Sequence, residues 1–385
     1  MKRLRNTILN LSLIILSLVI FLFFAEIAFS IYQSKPEPEN EVTPQRVTTT
    51  KPYLYQNNPA HHDINAHGLR DDNFSAEKPE GSFRILVLGD SIPFGKAVPT
   101  ASTFPNKLES LLKDSGQMVE VINTGVSGYT PYNELHYYLS EGRKFNPDLV
   151  ILSFCMNDVV NPRLHWNNFA YNAIPDIPEE AIPNKDYDRN VIQPRLNQRE
   201  DSRRKKLQGV RALFPGMIFK TRTYQFVANR WAALFPPPEI PKLSDEIPTY
   251  LTGEDNISIE VITHADSEEW QWLTGMYDQI NLAVSEDHIP LVIMIFPLAY
   301  QLDTHYPHFP QNLFADYCRN KNLHCLDLLE PFRRHGKEKI FMLDKGRSFY
   351  DVWHLTLDGH TITAEILFDY LHQQNLTTNQ EVPGT

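Results

Sequence analysis

Four short polar segments of this 385-residue chain carry side chains that could share one reaction. They are Gly89-Asp90-Ser91, Asn123-Thr124-Gly125-Val126-Ser127-Gly128, Cys155-Met156-Asn157-Asp158 and Asp351-Val352-Trp353-His354. A serine hydroxyl is a weak nucleophile until a base takes its proton, and His354 is the candidate base for Ser91. An imidazole serves as a base only if it is held in one tautomer, and Asp351, just before it in sequence, can accept from its other ring nitrogen. A tetrahedral intermediate needs donors aimed at its oxyanion. The backbone N–H groups of Ser91 and Gly128 and the side-chain amide of Asn157 can supply three, and losing one such donor costs about 10²- to 10³-fold in rate. Glycine at 128 lets backbone approach a substrate closely. The chemistry this set allows is acyl transfer through a serine. Imidazole ordinarily takes up a proton near pH about 6.5, so the rate should fall below that pH.

These segments need a scaffold that presents them together. Phe83-Arg84-Ile85-Leu86-Val87-Leu88, Val119-Glu120-Val121-Ile122-Asn123 and Asp148-Leu149-Val150-Ile151-Leu152-Ser153-Phe154 are short apolar runs with the character of buried parallel strands. Pro290 to Phe296 and Leu323 to Leu326 read the same way. Helical composition or spacing separates them: Phe104 to Leu112, Tyr132 to Lys144, Trp270 to Val284, Gln311 to Asn320, and a closing helix from about Asp358 to Gln373. Such alternation predicts an α/β fold, a parallel sheet covered on both faces, whose active site lies at the carboxyl ends of the strands. Three of the polar segments follow predicted strands, and the fourth precedes the last helix. Residues 161–262 break the alternation and read as an insertion. There is no internal repeat and no glycine-rich nucleotide fingerprint.

In this order, Gly89-Asp90-Ser91, Gly128, Asn157-Asp158 and Asp351-x-x-His354 resemble the four sequence blocks of the SGNH (GDSL) hydrolase family. The resemblance covers roughly residues 65 to 160 and 265 to 370. It implies a flavodoxin-like three-layer α/β/α sandwich with a central parallel sheet. It further implies Ser91 as nucleophile, Asp351 and His354 completing a catalytic triad, Ser91, Gly128 and Asn157 as oxyanion hole, and no cofactor or metal. Members are esterases, lipases, carbohydrate deacetylases and some O-acyltransferases, so the implied substrate is an ester-bearing carbohydrate or lipid. An O-acyltransferase of an extracytoplasmic glycan would use the same residues, and an inactive glycan-binding module would keep the sheet and hold a glycan in the cleft. Asn65-x-x-Gly68-Leu69-Arg70 and Ile295-Phe296-Pro297 resemble segments of membrane-anchored bacterial members. One position departs: Cys155 stands where the third block usually has glycine, and its side chain would narrow the oxyanion pocket or shift Asn157.

The amino terminus is a separate feature. Ile8 to Ala25 is uncharged and dominated by Leu, Ile, Val and Phe, and with residues up to 32 it is long enough to cross a hydrocarbon core of about 30 Å. Lys2, Arg3 and Arg5 precede it and Glu37, Glu39 and Glu41 follow, so the positive-inside bias exports everything after residue 33. Its length favours an uncut anchor over a cleaved signal peptide, for which Ala28-Phe29-Ser30 offers a cleavage site. The expected organisation is therefore 1–33 cytoplasmic tip and transmembrane helix, 34–64 a polar tether, and 65–385 the catalytic domain, periplasmic or extracellular. A net charge of −11 argues against a nucleic-acid partner, and three cysteines cannot make a disulfide framework or a four-cysteine zinc site.

Other residues are weighed against plainer roles. Asp90 and Asp158 are expected to bond backbone around their turns, and His360 to pack or cap at the start of the last helix. His61, His62, Asp63 and His67 are potential metal ligands, but a polar tether gives them no fixed geometry, and His305 and His308 are treated alike. Cys318 and Cys325 could pair in an oxidising compartment, which leaves Cys155 as a buried thiol. The basic stretch Arg195 to Arg211 is a solvated face or a contact for anionic headgroups or glycans. The apolar segment Leu213 to Phe235 could lie on the bilayer or cover the site.

Overall fold

The computed structural model describes residues 45–96, 98–159, 177–183, 265–302, 309–343 and 351–377, together with Asn10, Leu13 and Ser17. By internal contact the chain divides into two units. The larger, Thr43–Ile192, Ile240–Leu343 and Tyr350–Thr385, holds every element described below, and of the smaller one only Asn10, Leu13 and Ser17 are described.

In the larger unit the first described elements are an antiparallel pair, β1 (Arg46–Thr48) and β2 (Tyr55–Asn57). Then come β3 (Phe83–Leu88), a four-residue helix α1 (Ser91–Phe94), α2 (Phe104–Asp114), β4 (Val119–Asn123), α3 (Pro131–Ser140) and β5 (Leu149–Phe154). After residues 161–262 follow α4 (Glu268–Glu286), β6 (Leu291–Ile295), α5 (Phe309–Lys321), β7 (His324–Asp327), α6 (Leu329–Arg333), α7 (Lys337–Ile340) and α8 (Leu357–Gln373). The five later strands form one sheet in the order β4-β3-β5-β6-β7, and every pairing is parallel. That is the doubly wound 2-1-3-4-5 order, whose switch point lies between β3 and β5.

Sequence explains the layers. Every residue of β3, β5 and β6 is buried, as central strands covered on both faces require. Helix α2 buries Phe104, Leu108 and Leu112 at four-residue spacing and packs with α8, while α3 packs with α4. Right-handed crossovers put these two helix pairs on opposite faces of the sheet. The starts are fixed by side chains: Thr130 and Asn133 form a capping box on α3, Ser267 accepts from the Trp270 N–H, and Thr356 accepts from the Gly359 N–H. Each such cap is worth about 0.5–2 kcal/mol against alanine. Cys318 on α5 and Cys325 on β7 are joined as a disulfide, their Cα atoms 6.3 Å apart.

Order begins earlier than the expected Asn65. Residues 45–64 belong to the fold, with Tyr53 and Tyr55 at 2% and 0% exposure. The two-residue alternation Tyr53, Tyr55, Asn57 buries one face of β2, a short signal that surrounding polar residues hide. The helix expected over Tyr132 to Lys144 ends as α3 at Ser140, and Gly142–Phe145 form a separate 3₁₀ turn.

Among the described residues no helix is long and apolar enough to cross a membrane. The expected span at residues 8–32 lies outside them apart from Asn10, Leu13 and Ser17. Those three are helical, and the Ser17 hydroxyl donates to the Leu13 carbonyl at 2.8 Å. The stretch Arg195 to Arg211, the segment Leu213 to Phe235, His305 and His308 also lie outside the described residues. Of the insertion expected at 161–262, residues 177–183 are described, and Trp272 Nε1 on α4 donates to the Glu180 carbonyl at 2.8 Å.

Candidate active site

The carboxyl ends of β3, β4 and β5 bring the first three polar segments together. Ser91 is the first residue of α1, directly after β3, and Asp90 is its N-cap, Oδ1 accepting from the Ile92 N–H at 2.8 Å. Glycine at 89 is required by space: a Cβ there would lie 2.6 Å from Pro93 Cγ and 2.9 Å from Ser153 Cβ. The far end of α1 is held by Arg70, whose buried guanidinium donates to the carbonyls of Phe94, Gly95 and Val98. Asn65 shapes the turn before Arg70, its Oδ1 accepting from the N–H groups of His67 and Leu69. The Asn65-x-x-Gly68-Leu69-Arg70 motif therefore supports the turn that carries Ser91.

The fourth segment arrives from the far end of the chain. His354 Nε2 lies 2.9 Å from Ser91 Oγ, across 263 residues of sequence. Its Nδ1 lies 2.7 Å from Asp351 Oδ2 and 2.9 Å from Oδ1. A carboxylate accepts only, so Nδ1 carries the hydrogen and Nε2 faces the serine as an acceptor. Asp351 Oδ1 also accepts from the backbone N–H groups of His354 at 3.0 Å and Trp353 at 3.3 Å. Burial pushes the Asp351 carboxyl up, but its hydrogen bond to His354, the imidazole's charge and the two backbone donors outweigh that and hold it down at about 2. The loop is tied on both sides. The Ala299 N–H, just after Ile295-Phe296-Pro297, donates to the Val352 carbonyl at 3.1 Å, and the Met342 N–H donates to the His354 carbonyl at 3.0 Å.

The expected oxyanion donors stand as follows. The N–H groups of Ser91 and Gly128 donate to nothing among the described residues. Gly128 has φ +83°, a left-handed conformation that favours glycine. Asn157 follows β5, and its Nδ2 donates to Asp90 Oδ2 at 2.7 Å, across the switch point of the sheet. One Asn157 amide hydrogen is thus engaged and one remains. Its Oδ1 is buried with no partner among the described residues.

Asp90 does more than the backbone role expected of it. It is fully buried, and besides capping α1 its Oδ2 anchors Asn157 and lies 3.3 Å from Ser91 Oγ. Behind it sit two further acids. Burial, then the charge of Asp90, pushes the Glu134 carboxyl well above the ordinary range. Burial, then Glu134 and Asp90, does the same to Asp158. Asp158 Oδ2 accepts from the Cys155 N–H at 2.8 Å, the loop-bracing bond expected of it. Glu134 was missed by sequence reading, because an acidic residue on a helix looks solvated until packing buries it. Cys155 has no left-handed backbone and is 1% exposed within the core, and burial pushes its thiol up. It leaves Asn157 within hydrogen-bonding distance of Asp90. His360 Nδ1 accepts from the Phe104 N–H at 3.1 Å, so it caps α2, and burial with the charges of Arg70, His354 and Lys107 pushes it down to about 3.

His61, His62 and Asp63 bring three donor atoms within 4.8 Å of one another on the loop after β2. The loop has a fixed shape, contrary to the expectation of an unstructured tether. The rings of His61 and His62 stack at 4.4 Å, and His62 Nε2 lies 3.4 Å from Asp63 Oδ1.

Residues 87–210 match the model of the GDSL-like Lipase/Acylhydrolase family. Ser91, Gly128 and Asn157 fall inside that match, while Asp351 and His354 fall beyond it. An arylesterase from Vibrio mimicus is 37% identical over 79 residues, 20% of this chain and 40% of the relative. The chain thus spans about two fifths of that relative's length. Among solved structures, the acetyl xylan esterase AlAXEase aligns at 13% identity and TM-score 0.39, over 74% of this chain and 98% of its own. The acetylxylan esterase Axe2 from Geobacillus stearothermophilus aligns at 11% identity and TM-score 0.40, over 75% of this chain and 94% of its own. Likeness at that level does not bear on chemistry.

Proposed function

We propose that this chain is a membrane-anchored, exported serine esterase of the GDSL-like lipase/acylhydrolase family, whose model matches residues 87–210. The observation that carries the reading is the continuous hydrogen-bonded run from Ser91 Oγ through His354 to Asp351 Oδ2, with spacings of 2.9 Å and 2.7 Å. Ser91 Oγ attacks the ester carbonyl while its proton passes to His354 Nε2. Asp351 holds the imidazole in its tautomer and stabilises the imidazolium. The N–H groups of Ser91 and Gly128 and the free hydrogen of Asn157 Nδ2 receive the oxyanion. Collapse breaks the ester C–O bond, and His354 returns the proton to the leaving alkoxide. Water then attacks the acyl-serine with the same base, releasing the acid and restoring Ser91.

The substrate is an ester-bearing carbohydrate or lipid outside the cytoplasm. The apolar run at 8–32, flanked by Lys2, Arg3 and Arg5 before and Glu37 after, supports an anchored domain facing that compartment. The Cys318–Cys325 disulfide supports an oxidising one. An anchor holds the site near acylated lipids and surface glycans.

Labelling of the full chain in detergent with a fluorophosphonate probe, followed by mass spectrometry, tests the reading. The expected result is an adduct on Ser91 that is lost in His354→Ala. No adduct on folded protein would refute it. A hydroxylated sugar added to a p-nitrophenyl acetate assay then separates hydrolysis from transfer: a transferase acylates the sugar at the expense of acetate release.

A further inference from the structure

The hairpin that precedes the sheet grips the loop carrying Gly128. Five side-chain hydrogen bonds tie the hairpin to that loop and to the first turn of α3, which follows it. Arg46 Nη1 donates to the Ser127 carbonyl at 2.6 Å, and the Tyr55 hydroxyl donates to the same carbonyl at 3.3 Å. Asn57 Nδ2 donates to the Gly125 carbonyl at 3.2 Å. In return, the Tyr129 hydroxyl donates to the Tyr55 carbonyl at 2.7 Å, and Asn133 Nδ2 to the Tyr53 carbonyl at 3.1 Å. The rings of Tyr55 and Tyr129 meet edge to face at 5.1 Å.

The shared acceptor matters most. The Ser127 carbonyl and the Gly128 N–H are opposite ends of one peptide plane, which is rigid and trans. Fixing the direction of the oxygen fixes the opposite direction of the N–H. Gly128 needs such fixing, because glycine at φ +83° has little conformational preference of its own. Drawing electron density towards the carbonyl oxygen also makes the N–H of the same amide a stronger donor, since linked hydrogen bonds polarise one another. A guanidinium donor does this more strongly than a neutral one.

We propose that Arg46 and Tyr55 are positioning residues that aim and polarise the Ser127–Gly128 peptide, so that the Gly128 N–H is a preorganised oxyanion donor. This rests on the oxyanion role given to Gly128 above. It makes the hairpin part of the catalytic apparatus, although the hairpin touches no reacting atom.

The test uses the full chain in detergent and p-nitrophenyl acetate. Removing an oxyanion donor costs about 10²- to 10³-fold, and weakening one without removing it should cost about tenfold. Arg46→Ala is expected to lower kcat about tenfold with KM unchanged, Arg46→Lys to recover most of that, and Tyr55→Phe to lower kcat about threefold. A boronic acid, whose tetrahedral adduct mimics the intermediate, should lose affinity by the same factors. The ¹⁵N resonance of Gly128 reports hydrogen bonding at the preceding carbonyl, and in Arg46→Ala it should move upfield. Tyr55→Phe and Arg46→Lys keep the bulk of the side chain and separate this effect from misfolding. Variants that melt earlier but keep kcat within twofold would overturn the proposal, as would a kcat loss with the Gly128 resonance unmoved. Absence of both turnover and a Ser91 adduct in the unaltered chain would instead sink the esterase reading, and the Gly128 resonance would still report on the Ser127 contact.

Discussion

Replacing Asp351 by asparagine should damage the enzyme more than replacing it by alanine. Asp351 Oδ1 accepts from two backbone N–H groups, those of Trp353 and His354, so an asparagine at 351 must keep its carbonyl oxygen there. Its amide nitrogen then occupies the place of Oδ2, 2.7 Å from His354 Nδ1, and donates to it. Nδ1 becomes an acceptor, the ring hydrogen moves to Nε2, and the atom facing Ser91 can no longer take a proton. Alanine imposes no tautomer. It removes the carboxylate's attraction for the imidazolium and takes the acceptor from the Trp353 and His354 N–H groups. The Asp351 carboxyl is held at about 2 against an ordinary 3.8, with side-chain exposures of 16% for Asp351 and 12% for His354. At about 1.4 kcal/mol per unit, the net pull of His354 and the two backbone donors, less the effect of burial, is about 2–3 kcal/mol, or a factor of about 30 to 150 in rate if all of it bears on the barrier. In a Ser-His-Asp triad the asparagine exchange costs about 10⁴-fold. The assay is pre-steady-state acylation by p-nitrophenyl acetate, so that deacylation does not mask the effect. Asparagine as active as alanine, or more so, would refute the assignment of Oδ1 to the backbone and of Asp351 to the tautomer.

Two further outcomes test the surroundings. Burial, partly offset by the N–H groups of Asn123 and Asp72, pushes the Asp71 carboxyl up to about 7, so between pH about 4 and 7 the folded chain holds a proton that the unfolded chain has lost, and stability falls as pH rises through that window. Asp71→Asn should therefore be more stable than the parent at pH 8, by at most about 4 kcal/mol, and no different at pH 4, as read from urea denaturation at both. Cys155→Gly should cost about 1–3 kcal/mol in stability from lost packing and added chain entropy, yet leave kcat within threefold, because Asp90 and not residue 155 holds Asn157. A large gain in kcat would show that the cysteine obstructs the pocket.

How much of this was legible in the sequence follows from how local each cause is. The strands at 83–88 and 119–123 were legible to the residue, because central parallel strands are apolar on both faces and end in glycine or polar turns. Ser91, Asn157, Asp351 and His354 could be singled out because strand ends and the loop before the last helix are where such sheets present side chains. The helix cap made by His360 was anticipated in kind, although its partner, the Phe104 N–H, is 256 residues away. The hairpin was not legible. Its strands are three residues each, its composition is that of a linker, and its purpose depends on a carbonyl 72 and 81 residues downstream. Glu134 was hidden for a similar reason, since a helix shows which residues share a face but not what will cover it.

The two aspartates of the site share one design, and it yields a second asparagine prediction. Each gives one oxygen to backbone and the other to the side chain it aims: Asp351 to His354, Asp90 to Asn157. Asparagine caps helices as well as aspartate does, so Asp90→Asn keeps the Ile92 N–H satisfied through its oxygen. Its amide nitrogen must then sit where Oδ2 was, facing Asn157 Nδ2 at 2.7 Å, donor against donor. Asn157 escapes by turning its carboxamide over, which costs its Oδ1 no partner among the described residues. The turned amide offers the oxyanion a carbonyl oxygen in place of a hydrogen. The loss should therefore match or exceed that of Asn157→Ala, about 10²- to 10³-fold in kcat, while a buried charge beside Glu134 and Asp158 is removed and the melting temperature holds or rises. The double variant Asp90→Asn, Asn157→Asp would restore the donor–acceptor pairing but not the oxyanion hydrogen, so it should stay inactive. Asp90→Asn within fivefold of the parent would mean that Asn157 takes no part in holding the oxyanion, and that the Ser91 and Gly128 N–H groups hold it alone.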